Sequence, residues 1–458
     1  MQRVSVATSA TVIAMASGGA IATPDIVAGD LNGGQRYGPV NGVVAYGFGS
    51  THCNVGDTPL PFVSNTNEHP VITQNLYRIA DGRIEQIGLS FVFHAFCALQ
   101  SNFCGTCEPV NGACAPALGA GCSDVHSASL HAAQNGLGLR SEVNASTGEF
   151  PYPFTLQGQF GDAVYKRLQV AVADLDPALN PGAVYVVEGV YIAEQDAMAD
   201  KDQNNASYKR VQTLGAQGTN LVVTGQTERG TPAIAAWADH GLGADQPDPG
   251  VGVTMYDLPA DGVVFAGSNV LDNGDGTYTY YYAIENLSSD RGAQALRVPI
   301  PAGANVSNLY FNDVDYHSGE PYDNTDWSAS VEVGEVVFRS PATFDEDPNT
   351  NALRWGTLYS FGFTTDAEPA EGVASVEYFK PIPLGESEFE IDVLVPAGGP
   401  CAIADLAAPF GQFDIADVIE FLRAFGAADP IADFAAPVGV FDIADVVSFL
   451  RNFEIGCP

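Results

Sequence analysis

Five of the seven histidines lie in an N-terminal stretch that also holds six of the eight cysteines. These histidines are His52, His69, His94, His126 and His131, with Asp124 and Glu85 near them in sequence. Imidazole binds copper and zinc, so this stretch is a candidate metal site. It has no H-x-H or H-E-x-x-H spacing, and histidines scattered through a turn-rich domain also serve by donating to backbone carbonyls. Both interpretations stay open.

A second polar group lies in DVDYHSGE, residues 313–320. Asp313 and Asp315 occupy alternate positions, so in an extended loop they point to the same side and could converge on calcium. A carboxylate pair beside Tyr316, Tyr322 or Trp327 would also suit a sugar, and a hydrolase would then draw its acid and base from Glu320, Asp313 and Asp315. The alternative is a solvated acidic loop tied by Asx-turns. No serine-hydrolase elbow, P-loop or zincin helix is present, so no catalytic residue is assigned.

The composition limits the partners that the chain can have. There are 18 Lys and Arg against 55 Asp and Glu, giving a formal net charge of -37. Such a charge repels phosphate backbones and anionic lipid surfaces, so we do not expect nucleic-acid binding. Beyond residues 1–22, no stretch offers about 18 uncharged apolar residues, so we do not expect membrane insertion.

The N-terminus and the cysteines point to export. Ala20-Ile21-Ala22 precedes Thr23 in the small-x-small pattern of a signal-peptidase site, so residues 1–22 are predicted to be a removed signal peptide. We therefore expect a secreted or cell-surface protein with disulfides. Oxidation competes with a zinc or redox role for Cys104-Gly-Thr-Cys107, and six cysteines allow fifteen pairings. The six are Cys53, Cys97, Cys104, Cys107, Cys114 and Cys122.

The elements that must position these residues are mainly β-strands. Short runs rich in Val, Tyr and Thr alternate with Gly, Pro and Asn turns from about Val164 onward. Residues 23–250 are predicted to form a disulfide-stapled β-rich domain. Residues 251–398 are predicted to form an immunoglobulin-like β-sandwich, with a hairpin turn at Asn273-Gly274-Asp275-Gly276. A short helix is expected around residues 127–135.

Residues 399–458 repeat one phrase: FDIADVIEFLRAF recurs 28 residues later as FDIADVVSFLRNF. Each copy predicts a loop followed by a helix, and one apolar face on each helix is expected to pack against the other. These faces are Ile415, Val418, Ile419, Leu422 and Phe425, and Ile443, Val446, Val447, Leu450 and Phe453. Because so small a module has little core, Cys401 and Cys457 are predicted to form a disulfide that closes its ends.

With its final Gly456-Cys457-Pro458, this tail resembles a GC-type dockerin. The resemblance implies two EF-hand-like calcium loops and a cohesin-like or other surface protein as partner. It implies six calcium ligands, which are Asp405, Asp414, Asp417, Asp433, Asp442 and Asp445. Ala407 and Ala435 stand where oxygen ligands belong. Helix capping by the same aspartates is the alternative, and calcium as a cofactor stays open beside it.

The predicted function follows from this tail. The expected partner-binding residues are Phe410, Phe413, Val438 and Phe441. The body is similar to segments of exported bacterial proteins of an uncharacterised family, and we expect it to be a non-catalytic binding or structural module. Because dockerins commonly carry glycan-active modules, an extracellular polysaccharide hydrolase or lyase is the alternative, and the histidine metal site is a second.

Overall fold

The structure is a computed structural model that describes residues 22–112, 114–301, 303–381, 385–397, 404–408, 410, 413–435 and 439–455. Residues 1–21 of the predicted signal peptide, the predicted Cys401–Cys457 bond and Val438 lie outside the described residues. The fold is mainly β with few helices, as predicted.

Thirteen strands come from the N-terminal half of the described chain. They are β1 (Ile26–Val40), β2 (Val43–Asn54), β3 (Leu60–Pro61), β4 (Val71–Ala80), β5 (Arg83–Leu89), β6 (Val92–His94), β7 (Ala117–Leu118), β8 (Ser123–His126), β9 (Leu137–Gly138), β10 (Leu168–Ala171), β11 (Val184–Ile192), β12 (Ala206–Leu214) and β13 (Asn220–Glu228).

Most of these strands form one antiparallel sheet in the order β1-β2-β10-β5-β4-β11-β12-β13, with β6, β8 and β9 attached at its side. The short β3 and β7 pair separately. Two of the strand pairs, β1 with β2 and β4 with β5, are hairpins. Their turns, Asn41-Gly42 and Asp81-Gly82, have the positive φ angles that a tight two-residue turn requires. The central strand β11, VYVVEGVYI, is buried along its whole length, because both faces of the sheet are covered there.

Short helices connect these strands. They are α1 (Ala128–His131), α2 (Val172–Leu175), α3 (Glu194–Met198) and α4 (Ala235–His240), with single 3-10 turns at Gln134–Gly136, Arg140–Glu142 and Asp202–Asn204. The helix expected around residues 127–135 is confirmed as α1 and the 3-10 turn that follows it.

Ten further strands form the predicted sandwich. They are β14 (Gly252–Leu258), β15 (Gly262–Asp272), β16 (Tyr278–Asn286), β17 (Ala293–Pro299), β18 (Val306–Asn312), β19 (Ser328–Glu332), β20 (Glu335–Arg339), β21 (Thr357–Thr365), β22 (Glu368–Tyr378) and β23 (Glu388–Ala397).

These ten strands make two antiparallel sheets, β14-β15-β16-β21-β18 and β19-β20-β17-β22-β23. One apolar core lies between the two sheets, with Tyr280 and Phe361 from the first and Val336 and Val376 from the second. The predicted turn after β15 is present, with positive φ at Gly274 and Gly276.

A second apolar core joins the sandwich to the N-terminal sheet. It includes Tyr77 and Val186 from that sheet and Phe265 and Leu358 from the sandwich, around the fully buried Trp237 of α4. The predicted boundary between residues 250 and 251 falls between α4 and β14. Residues on both sides of the boundary therefore contribute to one core.

Three disulfides staple the turn-rich stretch, which confirms the expected oxidation of its six cysteines. The bonds are Cys53–Cys104, Cys97–Cys114 and Cys107–Cys122. Two of them anchor this stretch close to neighbouring strands, because Cys53 lies in β2 and Cys122 directly precedes β8.

The tail contains α5 (Ile415–Gly426), a 3-10 turn (Pro430–Ala432) and α6 (Ile443–Ile455). The rings of Phe421 and Phe449, which are 28 positions apart, stack with centroids separated by 4.1 Å. Around this pair two equivalent contacts repeat: Phe413 with Phe453 at 5.1 Å and Phe441 with Phe425 at 6.2 Å. The two loop-helix units are thus related by a pseudo-two-fold.

The predicted helix faces need a correction. Val418 and Phe425, with Val446 and Phe453, do pack on the tail core, which is centred on Phe421, Ala424 and Phe449. Six other residues of the predicted faces are exposed instead, namely Ile415, Ile419, Leu422, Ile443, Val447 and Leu450. The reason is that residues 417, 421 and 424 point inward, and 415, 419 and 422 lie two positions earlier, about 200° around the helix.

One buried side chain links the N-terminal sheet to the sandwich. Arg140 Nε donates to Ser90 O at 2.6 Å, and Nη1 donates to Gly356 O at 2.7 Å. Its Nη2 donates to Asn75 Oδ1 at 2.7 Å and to Gln74 O at 3.2 Å. Burial lowers the pKa of Arg140 to about 10, so the guanidinium stays protonated at neutral pH.

We predict that Arg140→Lys lowers the free energy of unfolding by on the order of 3 kcal/mol, because a compact ammonium cannot reach all four acceptors and so loses buried hydrogen bonds made by a charged group. Arg297→Lys is the control, since Arg297 pairs with Glu335 at 2.6 Å where both side chains are more than a quarter exposed. Its cost is expected to stay below about 1 kcal/mol. Urea unfolding of both variants measures the difference, and equal costs would contradict the prediction.

Candidate functional site

The pairing of β2 with β8 brings His52, Asp124 and His126 together. In this antiparallel pair His52 lies opposite Asp124, and Ser50 lies opposite His126. Alternate residues of a strand share a face, so Asp124 and His126 project beside His52 while Val125 points away and is exposed. We call these three side chains the His-Asp cluster.

The three side chains of the His-Asp cluster meet at one carboxylate oxygen. His52 Nε2 is 3.1 Å and His126 Nε2 is 3.2 Å from Asp124 Oδ2. All three residues are at most 4% exposed. Neither imidazole meets Oδ2 with hydrogen-bond alignment, and within the described residues His52 Nε2, Asp124 Oδ2 and His126 Nδ1 have no hydrogen-bond partner. The cluster therefore has close contacts without satisfied hydrogen bonds.

A chain of hydrogen bonds orients the cluster from behind. His52 Nδ1 is 2.6 Å from Tyr191 OH, which is 2.9 Å from Ser50 Oγ, and Ser50 Oγ is 2.8 Å from His131 Nε2. The other oxygen of Asp124, Oδ1, accepts from Leu99 N at 2.9 Å. These partners fix the positions of His52 and Asp124.

The electrostatics keep His126 and His131 neutral. Burial, followed by the nearby His52, lowers the pKa of His126 to about 3. Burial also places the pKa of His131 well below its usual range. For Asp124, burial opposes ionisation, but the interactions with His52, then with His126 and the Leu99 N–H, outweigh it and lower the pKa. A carboxyl group that favours its ionised form thus lies beside the neutral imidazole of His126 and the ring of His52.

The remaining predicted histidines lie beside this cluster but are bound to the backbone. His69 and His94 stack with ring centroids 4.2 Å apart. His69 Nδ1 donates to Pro70 O and His94 Nε2 donates to Thr66 O, both at 2.7 Å. Burial lowers the pKa of both rings. They match the second interpretation from the sequence, in which histidines bind backbone carbonyls.

Glu85 is not part of the cluster. Its carboxylate binds Arg78 and accepts from Arg83 Nε at 2.8 Å and from Tyr310 OH. Sequence reasoning named Asp124 only as a neighbour. The missed signal is the alternate spacing of Asp124 and His126, which puts an acid and an imidazole on one face as soon as residues 123–126 form a strand.

The second predicted group lines a cavity of about 500 Å³ next to β5, β10 and β18. Asp313, Asp315 and Asp326 contribute to its wall. Burial raises the pKa of Asp313 to about 6, although its carboxylate accepts from Asn351 Nδ2. Burial and then the charge of Asp326 also raise the pKa of Asp315. The cavity thus holds carboxyl groups that resist ionisation.

Glu320 and Trp327 have other roles. Glu320 accepts from the backbone N–H of Arg140 at 2.5 Å and of Ser141 at 3.3 Å, so it braces the 3-10 turn. Trp327 is buried and stacks on Phe311 with centroids 5.7 Å apart, so it is not an exposed platform for a sugar. Glu320 is not among the residues that line the cavity with Asp313 and Asp315.

The aspartates of the tail cap its helices in both copies. Asp414 Oδ1 accepts from Ala416 N at 2.6 Å, and Asp442 Oδ1 accepts from Ala444 N at 2.7 Å. In return Asp417 Oδ2 accepts from Asp414 N at 2.9 Å, as Asp445 Oδ2 does from Asp442 N at 2.8 Å. These are capping boxes with Asp at the third helical position.

The second oxygens of these carboxylates hold the preceding loops. Asp417 Oδ1 accepts from Leu406 N and Ala407 N, and Asp445 Oδ1 accepts from Ala435 N at 2.8 Å. Asp433 Oδ2 accepts from Gly439 N at 2.5 Å, and Asp405 is buried. In the part of the chain that the structure describes, only the His-Asp cluster gathers three potential metal ligands. Calcium binding by the tail stays a prediction.

Two of the expected partner-binding aromatics pack against the tail core. Phe413 and Phe441 are partly buried against it, and Phe410 is half-buried. The exposed apolar surface lies instead on the helices, along Ile415, Ile419 and Leu422 of α5 and Ile443, Val447 and Leu450 of α6. These residues are between 40% and 74% exposed. We call them the two apolar stripes. Among the described helices, none is long and apolar enough to cross a bilayer.

Comparisons with known proteins add little. No family model matches the chain, and no curated protein matches it. One solved structure, the serine-rich repeat adhesion glycoprotein Srr1 of Streptococcus agalactiae, aligns with 81% of this chain and 98% of its own at 9% identity and a TM-score of 0.20. The exo-chitosanase CsxA of Amycolatopsis orientalis aligns with 75% of this chain and 25% of its own at 9% identity and a TM-score of 0.16.

We predict that Asp313 makes stability fall as pH rises from about 4 to about 6. Its pKa is raised from 3.8 to about 6 in the folded chain, so the native state binds the proton more tightly than the unfolded state. The stabilisation from this proton is complete at pH values below the pKa of Asp313 in the unfolded chain. It is lost as the pH rises through the pKa of Asp313 in the folded chain. Asp313→Asn should flatten that part of the profile in urea unfolding across this range. A profile parallel to that of the unsubstituted protein would contradict the assignment.

Proposed function

We propose that this chain is an exported, non-catalytic binding or structural protein that a dockerin-like C-terminal module, residues 399–458, attaches to an extracellular complex or cell surface. The partner would be a cohesin-like or other surface protein with an apolar face. The three disulfides of the N-terminal region support an oxidising compartment.

The observation that carries the proposal is the pair of apolar stripes. Each stripe presents three aliphatic side chains at spacing i, i+4, i+7, and the two are related by the 28-residue repeat. The tail core already uses Phe421, Ala424 and Phe449, so the stripes are surplus to its folding. Exposed apolar surface that is repeated and unused by the core is typical of a protein-binding face.

The stripes replace the loop aromatics as the proposed contact surface. Phe413 and Phe441 contribute to the core, so their loss would unfold the module rather than weaken docking. Ile419 and Val447 occupy the middle of each stripe and are 59% and 40% exposed. Substitutions there test docking with the module folded.

We predict that Ile419→Lys with Val447→Lys in the full chain releases the protein from its surface or complex, because two buried charges oppose an apolar interface. Deletion of residues 399–458 should do the same and leave the body folded. Fractionation of the exporting cells, with immunoblotting of bound and released material, measures the effect. Circular dichroism of the purified proteins reports folding.

The matched control is Val333→Lys, which charges a fully exposed valine in the turn between β19 and β20. It should leave attachment unchanged. Two outcomes would contradict attachment through residues 399–458. The body could unfold without these residues, or the double variant could stay attached as the unsubstituted chain does.

A second candidate function is cleavage of a polysaccharide, by hydrolysis or by a lyase reaction, in the cavity of about 500 Å³ beside Asp313. The favouring observation is Asp313, whose pKa of about 6 suits a general acid, beside the carboxylates of Asp315 and Asp326. Release of reducing ends from acidic and neutral polysaccharides by the full chain tests it. Asp313→Asn should abolish such activity while Asp323→Asn, an exposed loop acid, should not; no release from any glycan would remove this candidate.

A further inference from the structure

We propose that the His-Asp cluster binds one divalent transition-metal ion of the zinc class through His52, Asp124 and His126. The ion would cross-link β2 to β8 inside the N-terminal domain. This site is independent of the tail and of the cavity beside Asp313.

Two of the three separations between the ligand atoms fit such an ion, and all three atoms lie within 4.8 Å of one another. Zinc bonded at about 2.0–2.1 Å to nitrogen and oxygen in a tetrahedron places neighbouring ligand atoms about 3.3 Å apart. The observed separations from Asp124 Oδ2 are 3.1 Å to His52 Nε2 and 3.2 Å to His126 Nε2. Two imidazoles and one carboxylate form a donor set that zinc accepts, with a fourth position left over.

The orientation of the groups separates a metal from ordinary hydrogen bonding. Side chains that share a hydrogen bond align the donor with the acceptor, whereas metal ligands all point to a common centre and lie off-axis from each other. Here the contacts are short, yet His52 Nε2 and Asp124 Oδ2 have no aligned partner among the described residues. Buried polar atoms without a partner are costly, and one cation would bind these two atoms together with the adjacent Nε2 of His126.

A single proton shared by His52 and Asp124 is the competing explanation. It would join His52 Nε2 to Asp124 Oδ2 but leave out His126, whose Nε2 is 3.2 Å from the same oxygen. The ion would bind both imidazoles and the carboxylate at once. The experiment below distinguishes the two.

The surroundings pre-arrange the cluster. Tyr191 OH lies at 2.6 Å from His52 Nδ1, so it can accept that N–H and leave Nε2 free to bind the ion, which is the outer partner that metal-bound histidines usually have. Cys53 follows His52 in β2, and Cys122, just before β8, precedes Asp124 by two positions; each cysteine is in a disulfide. Burial of all three ligands indicates a structural ion rather than one reached by a large substrate.

The test uses the full exported chain produced in zinc-supplemented medium, because a buried site is filled during folding. Elemental analysis of the purified protein should find one zinc per chain. X-ray absorption at the zinc edge should show nitrogen and oxygen donors with imidazole scattering and no sulfur. Absence of zinc from protein with all three disulfides intact would favour the proton and overturn the proposal, as would sulfur donors.

Variants locate the ion. His126→Gln should lose the bound zinc, whereas His94→Gln, in the neighbouring backbone-bound pair, should keep it. Tyr191→Phe should weaken binding about 10–100-fold in competition with a chelator, because it removes only the outer partner. Equal zinc contents in the His126 and His94 variants would overturn the assignment. The X-ray absorption of the unsubstituted chain decides the ligands if His126→Gln does not fold.

Discussion

A buried charge at the junction of the N-terminal sheet and the sandwich constrains the rest of the body. The Arg140 guanidinium is surrounded by backbone oxygens from β4, from the loop after β5 and from the turn before β21, and its own backbone N–H is held by Glu320. The bond to Gly356 O crosses between the two halves and would break if either half moved. The joint is therefore set by directed hydrogen bonds as well as by the apolar contacts around Trp237.

Two buried carboxyl groups complete this junction. Glu188 accepts from Tyr77 OH at 2.7 Å and from Ala233 N at 2.7 Å, and Glu285 accepts from Ile234 N at 2.8 Å. Burial and the neighbouring Glu188 raise the pKa of Glu285 well above its usual range, so Glu285 is neutral. Glu188 belongs to the N-terminal sheet and Glu285 to the sandwich. The two carboxyl groups therefore lie where the N-terminal sheet contacts the sandwich.

The features that could be predicted from the sequence are those set by neighbouring residues. Hairpin turns, β-rich runs and the doubled loop-helix follow from residue type and short spacing, and Asn273–Gly276 and the tail repeat are examples. The pairing of six cysteines, the meeting of Arg140 with Gly356, and the convergence of His52 with Asp124 depend on long-range strand order, which no local pattern contains. The inward face of α5 was misassigned because aliphatic periodicity fits both sides of the helix, and the large ring of Phe421 takes the core.

The placement of β23 has a mechanical consequence. This ten-residue strand lies at the edge of its sheet, pairs with β22 on one side, and ends at Ala397 just before the tail. If the tail is anchored, a force that pulls the body away from the anchor acts first on this strand. A pull across the sheet opens the Glu368–Ala397 pair first and the others in turn, whereas a pull along the strand strains every pair at once. The force needed to detach β23 would thus depend on the direction in which the anchor lies.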